Sequence, residues 1–255
     1  MPPTKKASSD PEGGSSSTFE IIYKRYGQSF KAARWFGNRR YIAAVMRRED
    51  KGESLIVQDS QPDDKGSIRP PQLVFVAEKI NLAVDPKTGS LIFSITEILP
   101  ILGPDGAPLL GPDGKVPAYN FNHALFMLGV GDSGPKMEFI GPSPSKDICF
   151  GSPTVSPDGT SVMFLAGKYS GEGNMEVMSL ESCPLTPGGI KGHTSLVTGR
   201  VTDPSFSPDG RKIAYVKQEG SHQSIFVAAS DGSGAKNLTG TAGDFASPLF
   251  SPQYK

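Results

Sequence analysis

The chain is poor in the features that usually announce a function. It has 2 cysteines, 3 histidines and 1 tryptophan in 255 residues. Cys149 and Cys183 allow one bridge at most, so no disulfide framework holds the fold. Two free buried thiols are the favoured reading. Neither sign of charge is in excess: Lys plus Arg and Asp plus Glu are both 26. That balance argues against a basic nucleic-acid surface. No apolar run reaches the roughly 18 residues of a membrane helix. Lys5 and Lys6 precede no apolar segment, so the N-terminus does not read as a signal peptide. Residues 1–18 are small, polar and rich in Ser, Pro and Gly, and are expected to form a disordered tail. The sequence contains no Gly-x-Ser-x-Gly elbow, no Gly-x-x-x-x-Gly-Lys-Ser/Thr loop and no His-Glu-x-x-His. No catalytic residue, cofactor or metal ligand is assigned on that basis.

What the chain has in abundance is turns. Gly (30) and Pro (23) make up about a fifth of it, against an average near 12%. Many of them fall in one repeated phrase. Pro153-Thr-Val-Ser-Pro-Asp-Gly159 returns as Pro204-Ser-Phe-Ser-Pro-Asp-Gly210 and begins again as Pro248-Leu-Phe-Ser-Pro252. Pro sets a turn φ, Asp bonds its own backbone, and Gly takes the positive φ. Behind each turn comes an apolar β-former run, Ser161–Leu165 or Arg211–Val216. A polar segment follows, 166–174 or 217–223, then a second run, Met175–Leu180 or Ser224–Ser230. The second unit ends in Asp231-Gly232 and a short strand at 235–239.

Upstream the phrase fades but persists. Asp85-Pro86 and Gly89 precede Ser90–Ile95, and Gly37-Asn38 precedes Tyr41–Met46, with Glu53–Gln58 as a further strand. Antiparallel units of roughly 40–50 residues in series predict an all-β fold, a β-propeller of four-stranded blades. Blades are expected to start near residues 33, 80, 152 and 203, with part of a fifth from 247, so that the domain spans 19–255. An insertion over 97–122 carries its own Pro-Asp-Gly doublet at 104–106 and 112–114. The strand candidate Phe19–Tyr23 is available to close the ring by pairing with the last segment. A ring left open would expose edges and an apolar blade face, and would favour oligomers.

The block Pro204–Tyr215, with Ile225–Gly232 and Asn237–Thr239, resembles the WD40-like repeat of TolB-type six-bladed propellers. The likeness covers about Phe19 to the C-terminus. It implies a non-enzymatic scaffold that binds a protein partner, a peptidoglycan-associated lipoprotein by family analogy, in a bacterial periplasm. Without a signal sequence the cytoplasm is the other compartment. The same repeat type also occurs in propellers attached to prolyl-oligopeptidase-like hydrolases and in some pectate-processing lyases. A severed peptidase propeller and a metal-dependent polysaccharide lyase are therefore the alternatives. The peptidase reading lacks a nucleophile elbow, and 255 residues leave no room for a hydrolase domain of about 200 beside the blades.

Within this frame the loops after the second strand of each blade share one face. Arg47, Lys168, Tyr169, Lys217 and His222 lie in them and are the candidate partner-binding residues, since Arg and Tyr are frequent interface anchors. His123 and His222 belong to that face. His193 joins it if Pro184–Thr186 is a strand, and lies opposite if Ser195–Thr198 is. Three converging histidines would suit a metal, but three unrelated ones are the favoured reading. Asp105, Asp113, Asp158, Asp209 and Asp231 are read as turn-holders. Phe164, Tyr215, Phe226 and Trp35 are read as blade core.

Overall fold

A computed structural model describes residues 29–48, 52–98, 107–108, 124–131, 134–141, 148–171, 174–185, 192–240 and 243–251. Fifteen strands and no helix occur among them. The first blade comprises β1 (Ser29–Phe36), β2 (Tyr41–Arg47), β3 (Glu53–Asp59) and the first half of β4 (Gln72–Val84). The second half of β4 opens the second blade, followed by β5 (Leu91–Ile98), β6 (Ala124–Gly131) and β7 (Gly134–Gly141). The third blade is β8 (Ile148–Val155), β9 (Ser161–Gly171), β10 (Asn174–Pro184) and β11 (Thr194–Thr198). The fourth is β12 (Val201–Phe206), β13 (Lys212–Glu219), β14 (His222–Ala229) and β15 (Lys236–Asn237). Every pairing is antiparallel, and the strands of each blade lie side by side in chain order.

Side-chain alternation shows how the blades stack. A strand turns successive residues to opposite faces. In β5, Leu91, Phe93 and Ile95 join the core shared with the first blade, and Ile92 joins the core shared with the third. In β9, Val162, Phe164 and Ala166 face the second blade, and Met163 and Leu165 face the fourth. The inner blades thus bury both faces against neighbours in chain order, as blades of a propeller do. Each large apolar side chain buried this way contributes about 1.5–3 kcal/mol.

The repeated turns have a second task besides reversing the chain. Gly37 donates its N–H to the Gly89 carbonyl at 2.7 Å, tying the first turn to the second. A Cβ on Gly159 (φ +67°) would lie 2.5 Å from Asp85 Oδ1 and 2.8 Å from Lys87 Cβ, so the third turn seats on the second. Gly210 seats on Pro157 more loosely, at 3.5 Å. Hydroxyls repeat the link along the first strands: Thr154 Oγ1 donates to Pro204 O (3.1 Å) and Ser205 Oγ to Pro248 O (2.9 Å). The residue before each proline is left-handed: Ser152 (φ 47°), Asp203 (φ 50°) and Ser247 (φ 51°). In β8 and β12 this is the site of a register shift, where a bulge accommodates a proline that cannot donate to the ladder.

Several expectations need correction. The segment 166–174, expected to be a polar connection between strands, is strand to Gly171, and 217–223 shrinks to a turn at Gly220-Ser221. Polar residues there extend the hairpins past the apolar core. Trp35 is 51% exposed because the alternation of β1 turns its neighbour Phe36 inward. The first blade's fourth strand, Gln72–Ala77, went unread because it runs without a turn into the next blade. Cys149 and Cys183 are both buried and unbridged. The candidate closing strand 19–23, most of the 97–122 insertion, Asp105, Asp113, His123 and residues 252–255 lie outside the described residues.

Candidate functional site

One end of the blades carries the β2–β3, β9–β10 and β13–β14 hairpins. The crossover within β4 and the Gly199-Arg200 turn between β11 and β12 reach the same end. Arg47 closes β2, Lys168 and Tyr169 lie near the end of β9, Lys217 near the end of β13, and His222 opens β14. All five therefore sit on strand ends rather than in loops, and share this hairpin face. Arg47, Lys168 and His222 are exposed, and Tyr169 and Lys217 are half-buried. Tyr169 donates its hydroxyl to the Glu78 carboxylate, linking the third blade to β4. Lys217 holds its ammonium 6.0 Å from the Phe226 ring centroid, within cation–π range.

His193 stands at the other end. Thr194–Thr198 is the fourth strand, and it pairs Thr194 with Ser182. The His193 ring therefore lies by the turn end of β9 and β10, where its Nδ1 meets Glu181 Oε2 at 3.0 Å. Burial alone would raise the Glu181 carboxyl. Hydrogen bonds from Ser179, His193 and Ser195 instead hold it below its usual range. His193 and His222 are thus on opposite faces. Among the described residues no group of three or more His, Cys, Asp or Glu is placed to hold a metal ion. Burial pushes the Cys149 thiol up to about 11 and the Cys183 thiol to about 12, which makes both poor nucleophiles at neutral pH. The described turn aspartates are occupied locally. Asp158 Oδ1 accepts from Ser156 Oγ (2.6 Å), Thr160 Oγ1 (2.8 Å) and Thr160 N (3.1 Å). Asp209 and Asp231 repeat the pattern with Arg211 N and Ser233 N.

Between the third and fourth blades, at the hairpin end, lies a cleft of about 450 Å³. Met175, Val177, Val201 and Val216 supply its apolar lining. Its polar lining comes from Ser170, Glu176, Arg200, Thr202, Gln218 and Gln223. Arg200 Nη2 approaches Glu176 Oε1 only to 3.7 Å, and both side chains are more than half exposed. Lys168 is the cross-strand partner of Glu176, and Tyr169 that of Met175. Lys217 is the partner of Val201, with its Cε passing 3.9 Å from where a Gly199 Cβ would be. Lys168, Tyr169 and Lys217 therefore flank the cleft, and Arg47 belongs to a different blade. Sequence reading missed Arg200 and Glu176, whose signal was the Gly199-Arg200 break between two β-forming runs.

At the first junction the same end is closed by a polar clamp. Lys31 is the extra residue of a bulge in β1. Its Nζ donates to Glu53 Oε2 (2.8 Å) and to the Ile80 carbonyl (2.9 Å), and Glu53 Oε2 also accepts the Ile80 N–H (2.7 Å). Burial lowers the Lys31 pKa, with the Glu53 hydrogen bond pulling the other way.

No family model matches the chain. A stretch of 101 residues is 29% identical to YuxL of Bacillus subtilis (strain 168), an uncharacterized peptidase; it covers 39% of this chain and 15% of that protein. The chain thus spans a small part of the relative it matches. Among solved structures, a puromycin-hydrolyzing peptidase of Mycobacterium tuberculosis aligns at 16% identity and TM-score 0.49, covering 87% of this chain and 33% of that one. A periplasmic gluconolactonase of Pseudomonas aeruginosa aligns at 13% identity and TM-score 0.40, covering 86% and 71%.

Proposed function

We propose that the protein is the propeller portion of a peptidase-like protein, non-catalytic by itself, whose hairpin face meets polypeptide. The observation that carries this reading is the 101-residue match to a peptidase. The absence of a Gly-x-Ser-x-Gly elbow in these residues fits the non-catalytic half of the reading, because the nucleophile then belongs to another segment. Reading the encoding gene beyond codon 255 tests it. A hydrolase segment bearing that elbow is the expected result, together with no labelling of this chain by a fluorophosphonate. A stop codon there, or labelling within the blades, overturns it.

A second reading keeps the TolB-type scaffold. It is favoured by the Ser-Pro-Asp-Gly blades themselves, the feature on which that resemblance rests. In it the same face docks a folded partner such as a peptidoglycan-associated lipoprotein. Titration with that purified lipoprotein distinguishes the two: micromolar binding supports the scaffold, and none at 100 μM (about −5.5 kcal/mol) removes it.

A further inference from the structure

The inter-blade cleft has a chemistry that neither reading above assigns. Its lining combines aliphatic side chains with short polar ones and contains no aromatic residue. Ser170, Thr202 and Gln223 carry no side-chain hydrogen bond among the described residues, so their donors and acceptors are available. Gln218 spends its amide N–H on Gly220 O and keeps its oxygen. At the rim the long Arg200–Glu176 contact leaves most of the five guanidinium donors open. Lys168 faces Glu176 across the ladder, and Lys217 runs beside the Gly199-Arg200 turn. Arg200, Lys168 and Lys217 thus bring three cations to this end of the cleft, against the Glu176 carboxylate beside Arg200 and the Asp244 carboxylate on the Gln223 N–H, so cations are in excess at the rim.

We propose that this cleft binds the C-terminal end of a short aliphatic peptide, with the terminal carboxylate on Arg200 and the side chains on the half-buried Met175 and Val177. The volume of about 450 Å³ falls within the usual range of roughly 300–1,000 Å³ for small-ligand sites. It holds a peptide end rather than a folded domain. The guanidinium fork suits a carboxylate held bidentately, and Met175 adapts to differing side chains. A sugar acid would present hydroxyls to the aliphatic lining without an aromatic platform. A nucleotide would lack a phosphate cradle. The site needs no attached domain, so it stands or falls separately from the content of the gene beyond codon 255.

Isothermal titration of the 255-residue protein with acetyl-Val-Ala-Leu tests it, as free acid and as carboxamide. The free acid is expected to bind about tenfold tighter at low salt, a preference that shrinks at 0.5 M NaCl. Arg200→Ala removes the preference and Arg200→Lys keeps part of it. Val177→Trp fills the cleft and abolishes binding of both forms. Thr202→Phe does the same from an exposed position, should the first variant fold poorly by circular dichroism. Equal affinity for acid and amide overturns the proposal. So does binding that survives both filling variants, no binding of either peptide at 5 mM, or gluconate binding where the peptide does not.

Discussion

The first and third blade junctions solve one packing problem in opposite ways. Between the first and second blades the space is filled. Phe75, Phe93 and Phe126 meet at centroid distances of 5.5–5.9 Å, β4 runs unbroken from one blade to the next, and the Lys31–Glu53–Ile80 clamp closes the hairpin end. Between the third and fourth blades a two-residue turn makes the connection, Tyr215 and Phe226 stack at 5.7 Å inside the joint, and a cleft remains at the hairpin end. On the other face the turns loosen along the chain: Gly37 bonds Gly89 at the first junction and Gly159 is clamped against Asp85 at the second, whereas Gly210 has slack against Pro157 at the third. One blade grammar thus yields both a filled structural joint and an accessible one, and what fills the joint decides which.

Four perturbations test that contrast, the largest effect first. Phe93→Ala opens a cavity in the first junction and is expected to cost about 3–5 kcal/mol in urea denaturation. The same measurement on Glu53→Ala should show a loss of about 3 kcal/mol, because Lys31 and the Ile80 N–H lose their shared partner. Gly159→Ala should cost about 2 kcal/mol, combining a positive φ with a clash, whereas Gly210→Ala should cost about 1 kcal/mol from φ alone. Equal losses at the two glycines would show that the second and third junctions do not differ in tightness. The smallest effect is on acid sensitivity. Hydrogen bonds from Ser156 and Thr160 hold the Asp158 carboxyl down at about 2, against an ordinary 3.8. The unfolded chain therefore binds more protons between those values. The group's contribution is intact above about pH 4 and lost as pH falls toward 2. Asp158→Asn should flatten the stability profile in that window.

The all-β class and the blade order were legible because turn chemistry is local. Ser156, Pro157, Asp158 and Gly159 hold their turn with their own atoms, so four letters suffice to read it. The seating of Gly159 on Asp85 was not legible, since it joins residues 74 apart through space. Trp35 was misread for a related reason. An apolar run shows that a strand exists, but its alternation decides which residue turns inward, and Phe36 took that place. The candidate face was half legible. Lys168, Tyr169 and Lys217, placed beside the cleft, stood out in the sequence through polarity between apolar runs; their role in binding is a proposal. Arg200 and Glu176 were not, because the Gly199-Arg200 break is only two residues long and a residue inside a strand leaves no compositional trace. Lys31 needed knowledge of a bulge, which only the partner strand reveals.

The single strand β4 also has a mechanical meaning. A beam shared by two blades transmits force between them without a joint, so the first and second blades are coupled through one continuous backbone. The Gly199-Arg200 link, with Gly199 at φ 103°, is by contrast a joint of two residues beside the cleft. Tension along the chain would part the third and fourth blades there before it sheared β4. A ligand spanning that joint would act as a strut, stiffening the compliant part of the molecule.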